Sequence, residues 1–319
     1  MSAGATPINT ARWGHPHVLD IDSFSLPDIE QVMETTDAMK EVLGRPIKRV
    51  PTFRGKTVAT LFYEPSTRTR ASFEMAAKNL SADVVSMAAA TSSTVKGESL
   101  VDTVRTLEAM GVDVIVMRHP QSGAPYLAAR HTRCSIINGG DGWHAHPTQA
   151  LLDLYSIRER LGRLEGLRVV IVGDILHSRV ARSNLYGMAA AGVEVTVCGP
   201  PTLLPPAFTA AFPGVRRETD LDTALDGADV IMALRLQRER QEAGLLPSVE
   251  EYIARYQINP HRLSLARPGA LVMHPGPVNQ GVELSPEVSY GAASLIESQV
   301  ANGVAVRMAL LYLLLGGEG

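Results

Sequence analysis

Residues 66–70 read Ser66-Thr67-Arg68-Thr69-Arg70, a run of hydroxyls with two guanidiniums, placed between an apolar run at 57–63 and a helical pattern. Phe73, Ala76, Ala77 and Leu80 fall at i, i+3, i+4 and i+7. The spacing predicts a strand ending at Tyr63, a short Glu64-Pro65 link and a helix with Ser66 at its N-cap. The first amides of such a helix lack intrahelical partners and carry the positive end of its dipole. Hydroxyls and guanidiniums added to that end make a donor cluster suited to phosphate. Taken alone, the segment is also compatible with an ordinary capped helix whose arginines are exposed.

Other segments carry chemistry of their own. Ser92-Ser93-Thr94-Val95-Lys96-Gly97 holds one cation in a Ser/Thr/Gly-rich loop, which by itself also fits a plain solvated loop. Arg118-His119-Pro120, the histidines at 144 and 146 with Gln149, Arg179, the run Arg235-Leu236-Gln237-Arg238-Glu239-Arg240, and His274-Pro275-Gly276-Pro277 complete the set. The run at 235–240 is equally a charged surface when read alone. Pro147 suits a helix N1 position with His146 at the cap, aiming an imidazole and the Gln149 amide toward one place. Asp141, His144 and His146 lack a complete metal-ligand set, and no metal site is expected. Gly173-Asp174 follows a strand, but Ile175 and Ser178 replace the glycines of a dinucleotide fingerprint. The prolines at 275 and 277 stiffen a turn that would present backbone carbonyls.

The elements that must position these residues alternate. Strand-like runs lie near 57–63, 83–87, 113–117, 134–138, 167–172, 193–198, 229–233 and 270–273. Helical patterns lie near 27–43, 67–80, 98–110, 123–131, 147–161, 179–190, 248–256 and 294–315. Such alternation predicts parallel sheets covered by helices on both faces, and ligands of such sheets bind beyond the carboxyl ends of strands. Nearly every predicted strand exit carries an Arg, Lys or His. A fresh, strong strand after Gly162 and Gly166 places a domain boundary at 150–160.

The whole-chain properties fit this picture. At 319 residues the chain fits two domains. With 45% hydrophobic and 20% charged residues and a net charge of −3, it offers no global electrostatic reason to bind nucleic acid or membrane. Cys134 and Cys198 sit in apolar runs without CxxC spacing, as reduced core thiols of a cytosolic protein would. Residues 1–18 read as a flexible arm without a secretion signal. The apolar stretch 304–315 is interrupted by Arg307 and is too short to cross a bilayer.

In order along the chain, Phe62-Tyr63-Glu64-Pro65-Ser66-Thr67-Arg68-Thr69-Arg70, Lys96-Gly97-Glu98-Ser99, Met117-Arg118-His119-Pro120, His146-Pro147-Thr148-Gln149, Val172-Gly173-Asp174 through Ser178-Arg179, the run from Arg235 to Arg240, and His274-Pro275-Gly276-Pro277 together resemble the aspartate/ornithine transcarbamoylase family. The resemblance covers nearly everything from residue 18 onward. It implies an α/β fold of two doubly wound parallel-sheet domains with the active site in the cleft between them. The expected layout is an arm at 1–18, a carbamoyl phosphate-binding domain at 19–155 joined by a C-terminal helix at 294–319, and an aspartate-binding domain at 156–293.

The resemblance also implies roles. Carbamoyl phosphate would be held by Ser66, Thr67, Arg68, Thr69 and Arg118, with Thr69, Arg118 and His146 on its carbonyl oxygen. Its NH₂ group would donate to Gln149 and to carbonyls at Gly276 and Pro277, before which the peptide bond is expected to be cis. Arg68, Thr69, Arg118 and His146 would thus be the catalytic group. Lys96, Arg179, Arg235 and Gln237 would take the second substrate, and such a cationic lining suits the dicarboxylate aspartate. Ornithine would need an acidic partner, and the sister enzyme's His-Cys-Leu-Pro turn is replaced here; it stands as the alternative substrate. No cofactor or metal is implied. The family forms a cytoplasmic homotrimer in which the loop of Lys96, with Ser92 or Ser93, enters the neighbouring site. Some members also join a regulatory chain or a dihydroorotase.

Overall fold

The computed structural model describes residues 13–88, 98–236 and 248–316. The chain divides into two compact units, one of Met1–Leu152 with Ala301–Gly319 and the other of Asp153–Val300.

In the first unit, helix α1 (Leu26–Leu43) precedes four βα steps. These are β1 (Thr57–Phe62), α2 (Thr67–Asn79), β2 (Asp83–Ala88), α3 (Leu100–Ala109), β3 (Val114–His119), α4 (Ala124–Ala129), β4 (Ser135–Asp141) and the start of α5 (Pro147–Leu161). The four strands are parallel, in the order β2-β1-β3-β4. After β2 the chain crosses back to the other side of β1, so the strand order reverses between β1 and β3, where Phe62 pairs with Arg118. Apolar β-branched and aliphatic residues make β1 and β3 buried strands, as the sequence of a parallel sheet requires. Ala59, Leu61, Ile115, Met117 and Ile136 pack against Val104 and Leu107 of α3 and Ala124 and Ala128 of α4. Before α1, Val18 joins the sheet edge through Val18 N–H to Ile136 O, 2.8 Å, and Asn138 N–H to Val18 O, 2.8 Å.

The second unit holds β5 (Arg168–Val172), α6 (Arg179–Ala190), β6 (Glu194–Cys198), α7 (Pro206–Ala210), β7 (Arg216–Glu218), α8 (Leu221–Leu225) and β8 (Val230–Ala233). It continues with α9 (Val249–Tyr256), α10 (Pro260–Leu263), β9 (Leu271–Met273), α11 (Pro286–Ser289) and the start of α12 (Ile296–Leu315). Its five parallel strands run β7-β6-β5-β8-β9, with the reversal between β5 and β8. Val170, Val172, Ile231, Ala233 and Val272 form its core with Leu225, Tyr252 and Tyr256.

Helix α12 extends beyond the apolar stretch 304–315, over the helical pattern read near 294–315. Its 20 residues, with mean hydropathy 1.4 over the most apolar window, are long enough by themselves to cross a membrane. However, 61% of that window is buried inside the protein, as in a core helix. Arg307 is buried within it, donating to Ser72 Oγ at 2.8 Å and lying 5.0 Å from the Phe73 ring centroid. Both cysteines are buried and unbridged. Burial pushes the Cys198 thiol up to about 12, and Cys134 Sγ donates to Val112 O at 2.9 Å.

Candidate active site

The run 66–70 lies at the exit of β1 and the start of α2, as its sequence predicts. Ser66 is the N-cap residue, but its hydroxyl makes no capping bond, and the first turn carries no acidic side chain. The backbone at Ser66 (φ −158°, ψ 87°) does not turn the hydroxyl onto the first-turn amides. That corrects the expectation of a side-chain cap and leaves those amides uncapped by serine, at the end of a helix that attracts anions. Ser66 is half-buried, Thr67 and Arg68 are exposed, and Thr69 is buried.

Arg118 reaches this end from the adjacent strand β3. Its Nε stands 3.2 Å from Glu64 Oε2, and its Nη1 donates to Gly139 O at 3.1 Å. A Cβ on Gly139 would sit 3.7 Å from Thr69 Cγ2 and from the Phe62 ring, and 3.3 Å from Met117 O. The exits of β1, β3 and β4 therefore meet around Thr69 and Arg118, at the reversal of strand order where ligands of open α/β sheets bind. His119 serves the local packing instead. Its ring lies edge-on against Tyr63, centroids 4.7 Å apart, and its Nδ1 accepts from Gln121 N–H at 3.0 Å. Burial lowers its pKa, consistent with an accepting, neutral ring.

His146 and Gln149 begin α5 just after β4, buried to 5% and 8% exposure, and Gln149 N–H donates to His146 O at 3.0 Å. The intervening turn is organised by Asp141. Its carboxylate accepts from Gly123 N–H (2.7 Å), Ala145 N–H (3.1 Å) and Asn138 Nδ2 (2.8 Å), and pairs with His144 Nδ1 at 3.1 Å. Burial would raise the Asp141 carboxyl, yet the donors from His144, Asn138 and Gly123 outweigh it and hold the pKa below the usual range. The bond to Asp141 raises the His144 pKa. His144 is thereby committed to shaping the turn that delivers His146.

In the second unit, Arg179 and Arg235 follow the adjacent strands β5 and β8, again at the reversal of strand order. Arg179 is the first residue of α6, 4% exposed, behind a Ser178 whose Oγ accepts from Ala181 N–H at 3.1 Å. Asp174 and His177, both buried, pair at 2.8 Å in the connection before it. Gly173 explains the stray glycine of the sequence: at φ 129°, a Cβ there would come within 3.0 Å of Leu234 O and of the Tyr252 hydroxyl. Its glycine serves close packing of two strand exits. Arg235 is half-buried, next to a Leu236 exposed by only 1%.

After β9, His274 is 1% exposed, and its Nδ1 accepts from Gly276 N–H at 2.8 Å. The Gly276–Pro277 peptide is cis, as expected, and Gly276 has φ 66°, which suits glycine. Gly276 is half-buried and Pro277 exposed. Lys96, Ser92, Ser93, Gln237, Arg238 and Arg240 lie outside the described residues.

Several residues of these sites were not singled out by sequence reasoning for the roles they take: Glu64, Gly139, the Asp174–His177 pair, and Glu283, whose carboxylate joins two strand exits. Glu64 and Gly139 had one available signal, their position directly at strand ends. The others acquire meaning only from partners that the fold supplies.

Each sheet thus sets its arginines at its own point of strand reversal, which defines a two-unit α/β protein built to handle anionic ligands. Residues 16–159 match the family model described as the carbamoyl-P binding domain of aspartate/ornithine carbamoyltransferase, and residues 165–314 the Asp/Orn binding domain. The chain belongs to the aspartate/ornithine carbamoyltransferase family. It is 61% identical over 302 residues to the aspartate carbamoyltransferase catalytic subunit of Roseiflexus sp. (strain RS-1), covering 94% of this chain and 95% of that one. The corresponding subunit of Dehalococcoides mccartyi (strain CBDB1) is 56% identical over 309 residues, covering 96% and 93%. Among solved structures, aspartate transcarbamoylase from Trypanosoma cruzi in complex with carbamoyl phosphate and aspartate superposes with a TM-score of 0.87 at 30% identity, covering 98% and 99%. Ornithine carbamoyltransferase from Pyrococcus furiosus gives 0.85 at 28% identity, covering 95% and 98%. Backbone shape therefore leaves the amine substrate open, and the sequence relatives named above favour aspartate.

Proposed function

We propose that the chain transfers the carbamoyl group of carbamoyl phosphate to the amine of L-aspartate, giving N-carbamoyl-L-aspartate and phosphate, the committed step of de novo pyrimidine synthesis. The observation that carries aspartate is the pair Arg179 and Arg235 at the exits of β5 and β8, two guanidiniums suited to carboxylates. Lys96 and Gln237 join them in this reading.

The phosphate oxygens are bound by Ser66, Thr67, Arg68, Thr69 and Arg118, and by the amides at the start of α2. Thr69, Arg118 and His146 donate to the carbonyl oxygen. The aspartate amine attacks the carbonyl carbon, so negative charge builds on that oxygen, where preorganised donors lower the barrier most. Gly139 O accepts from the Arg118 Nη1 and Glu64 places a counter-charge beside its Nε, which favours one placement of the guanidinium before substrate arrives. Gln149 and the carbonyls of Gly276 and Pro277 accept from the carbamoyl NH₂. The C–O bond to phosphate then breaks, and the departing phosphate takes the amine proton. Phosphate is a competent leaving group, so the step needs neither a metal nor an organic cofactor. In this reading the enzyme is a cytoplasmic homotrimer, with the Lys96 loop, including Ser92 or Ser93, completing a neighbouring site.

Incubating the purified chain with carbamoyl phosphate and either aspartate or ornithine tests the reading. Carbamoyl-aspartate is the expected product; citrulline in its place would overturn the aspartate assignment. Mixed trimers of Arg68→Ala and Lys96→Ala chains are expected to regain activity, and silence in verified mixed trimers would contradict shared sites.

A further inference from the structure

Glu283 has no part in the chemistry above, yet it is a carboxylate exposed by only 1%. Its Oε1 accepts from Leu236 N–H at 2.8 Å and from Asn279 Nδ2 at 2.7 Å, and its Oε2 accepts from Asn279 N–H at 2.9 Å. His274 Nε2 stands 4.0 Å from Oε2. Leu236 directly follows Arg235, and Asn279 lies two residues beyond Pro277. One side chain therefore spans the exits of β8 and β9.

The need for such a link follows from the ladder. Pairing between β8 and β9 ends at Met232 with Met273, three residues before Arg235 and three before Gly276. Glu283 is itself anchored through Ile258 N–H to its backbone carbonyl at 2.9 Å. The turn is also held from beneath: His274 N–H donates to Gln299 Oε1 (3.0 Å), Gln299 Nε2 to Asp153 Oδ1 (2.7 Å), and Asn184 Nδ2 to Asp153 Oδ2 (2.9 Å). A carboxylate offers two accepting oxygens to three N–H donors, whereas a glutamine would turn an NH₂ toward one of them.

We propose that Glu283 is a positioning residue for the second substrate, fixing the Arg235 exit and the Gly276-Pro277 turn at the spacing the reaction requires. The inference rests on the carbamoyl-transfer reading above. Replacing the carboxylate frees Arg235 to adopt several placements, so affinity for the substrate carboxylate falls while the α2 phosphate site keeps its geometry.

The test is steady-state kinetics of Glu283→Gln and Glu283→Ala, with hydrogen exchange on the same proteins. A buried charged hydrogen bond corresponds to a factor of roughly 10 to 100 in affinity. The aspartate KM is expected to rise about 10-fold in E283Q and about 100-fold in E283A, with a smaller rise in the carbamoyl phosphate KM, because the Gly276-Pro277 turn also meets its NH₂ group while the α2 end is untouched. Faster exchange should be confined to the amides near 236 and 279. A folded E283Q with wild-type aspartate KM overturns the proposal, as does a loss of activity that only tracks the unfolded fraction. If neither variant folds, fast exchange of the Leu236 and Asn279 amides in the wild type overturns it. A wild-type chain inert toward aspartate instead sinks the underlying reading, and the exchange data still judge the clamp.

Discussion

Arg118 and Glu64 are paired across the exits of two adjacent strands, Nε to Oε2 at 3.2 Å, while the same guanidinium donates to Gly139 O at 3.1 Å. A guanidinium with one hydrogen bond to a backbone carbonyl and a carboxylate beside its Nε is biased toward one place before any ligand binds, which is the kind of preorganisation that transition-state stabilisation draws on. Arg118→Ala is expected to lower kcat by about 100- to 1,000-fold, the usual cost of one donor to a developing oxyanion. Glu64→Gln keeps the cation but removes the charge that favours its placement, and should lower kcat/KM for carbamoyl phosphate by roughly 10-fold. Because the pair is partly exposed, the melting temperature of E64Q should stay near wild type. Steady-state kinetics with calorimetry checks both.

Gly173 offers a stability prediction. Alanine there meets two obstacles: a φ of 129° that L side chains rarely adopt, and backbone and hydroxyl atoms 3.0 Å from the new Cβ. Gly173→Ala is expected to destabilise by about 3 kcal/mol, from strain and overpacking together. Denaturant unfolding measures it. A change below about 1 kcal/mol would mean that Leu234 and Tyr252 yield easily.

The Asp141–His144 pair gives stability a pH signature. His144 has its pKa raised above 6.5 by the bond to Asp141, so its contribution is full below 6.5 and is lost as pH rises through the raised value. Asp141 has its pKa held below 3.8, so its contribution is present above 3.8 and is lost as pH falls through the lowered value. The pair therefore helps most between the two. Thermal melts should show His144→Gln losing more stability at about pH 5.5 than at about pH 8.5, and equal losses would contradict the pairing.

Much of this was legible in the sequence because the informative residues carry their own meaning. The uniformly apolar Val169-Val170-Ile171-Val172 reads as a buried strand and is one, and the hydroxyl–guanidinium run falls at the exit of β1 and the start of α2, where its pattern placed it. Helices at 147–161 and 179–190 match the structure to the residue. The edge strand β7 escaped notice because Arg216-Arg217-Glu218 has no apolar pattern and is a strand only by pairing with β6. Helices α7, α8, α10 and α11, of four or five residues each, are too short to show a helical period and depend on packing. The supporting residues stayed hidden for a related reason. Nothing local distinguishes Glu283 from a surface glutamate until Leu236 and Asn279 arrive beside it.

A single reaction is proposed to draw on the phosphate cradle after β1 and on the arginines after β5 and β8. Calorimetric titration of N-phosphonoacetyl-L-aspartate into the wild-type chain, Arg68→Ala and Arg235→Ala tests this most directly. Binding far tighter than that of either phosphonoacetate or aspartate alone is expected, weakened at least about 100-fold by each substitution. Affinity no better than that of phosphonoacetate, or unaffected by Arg235→Ala, would contradict it.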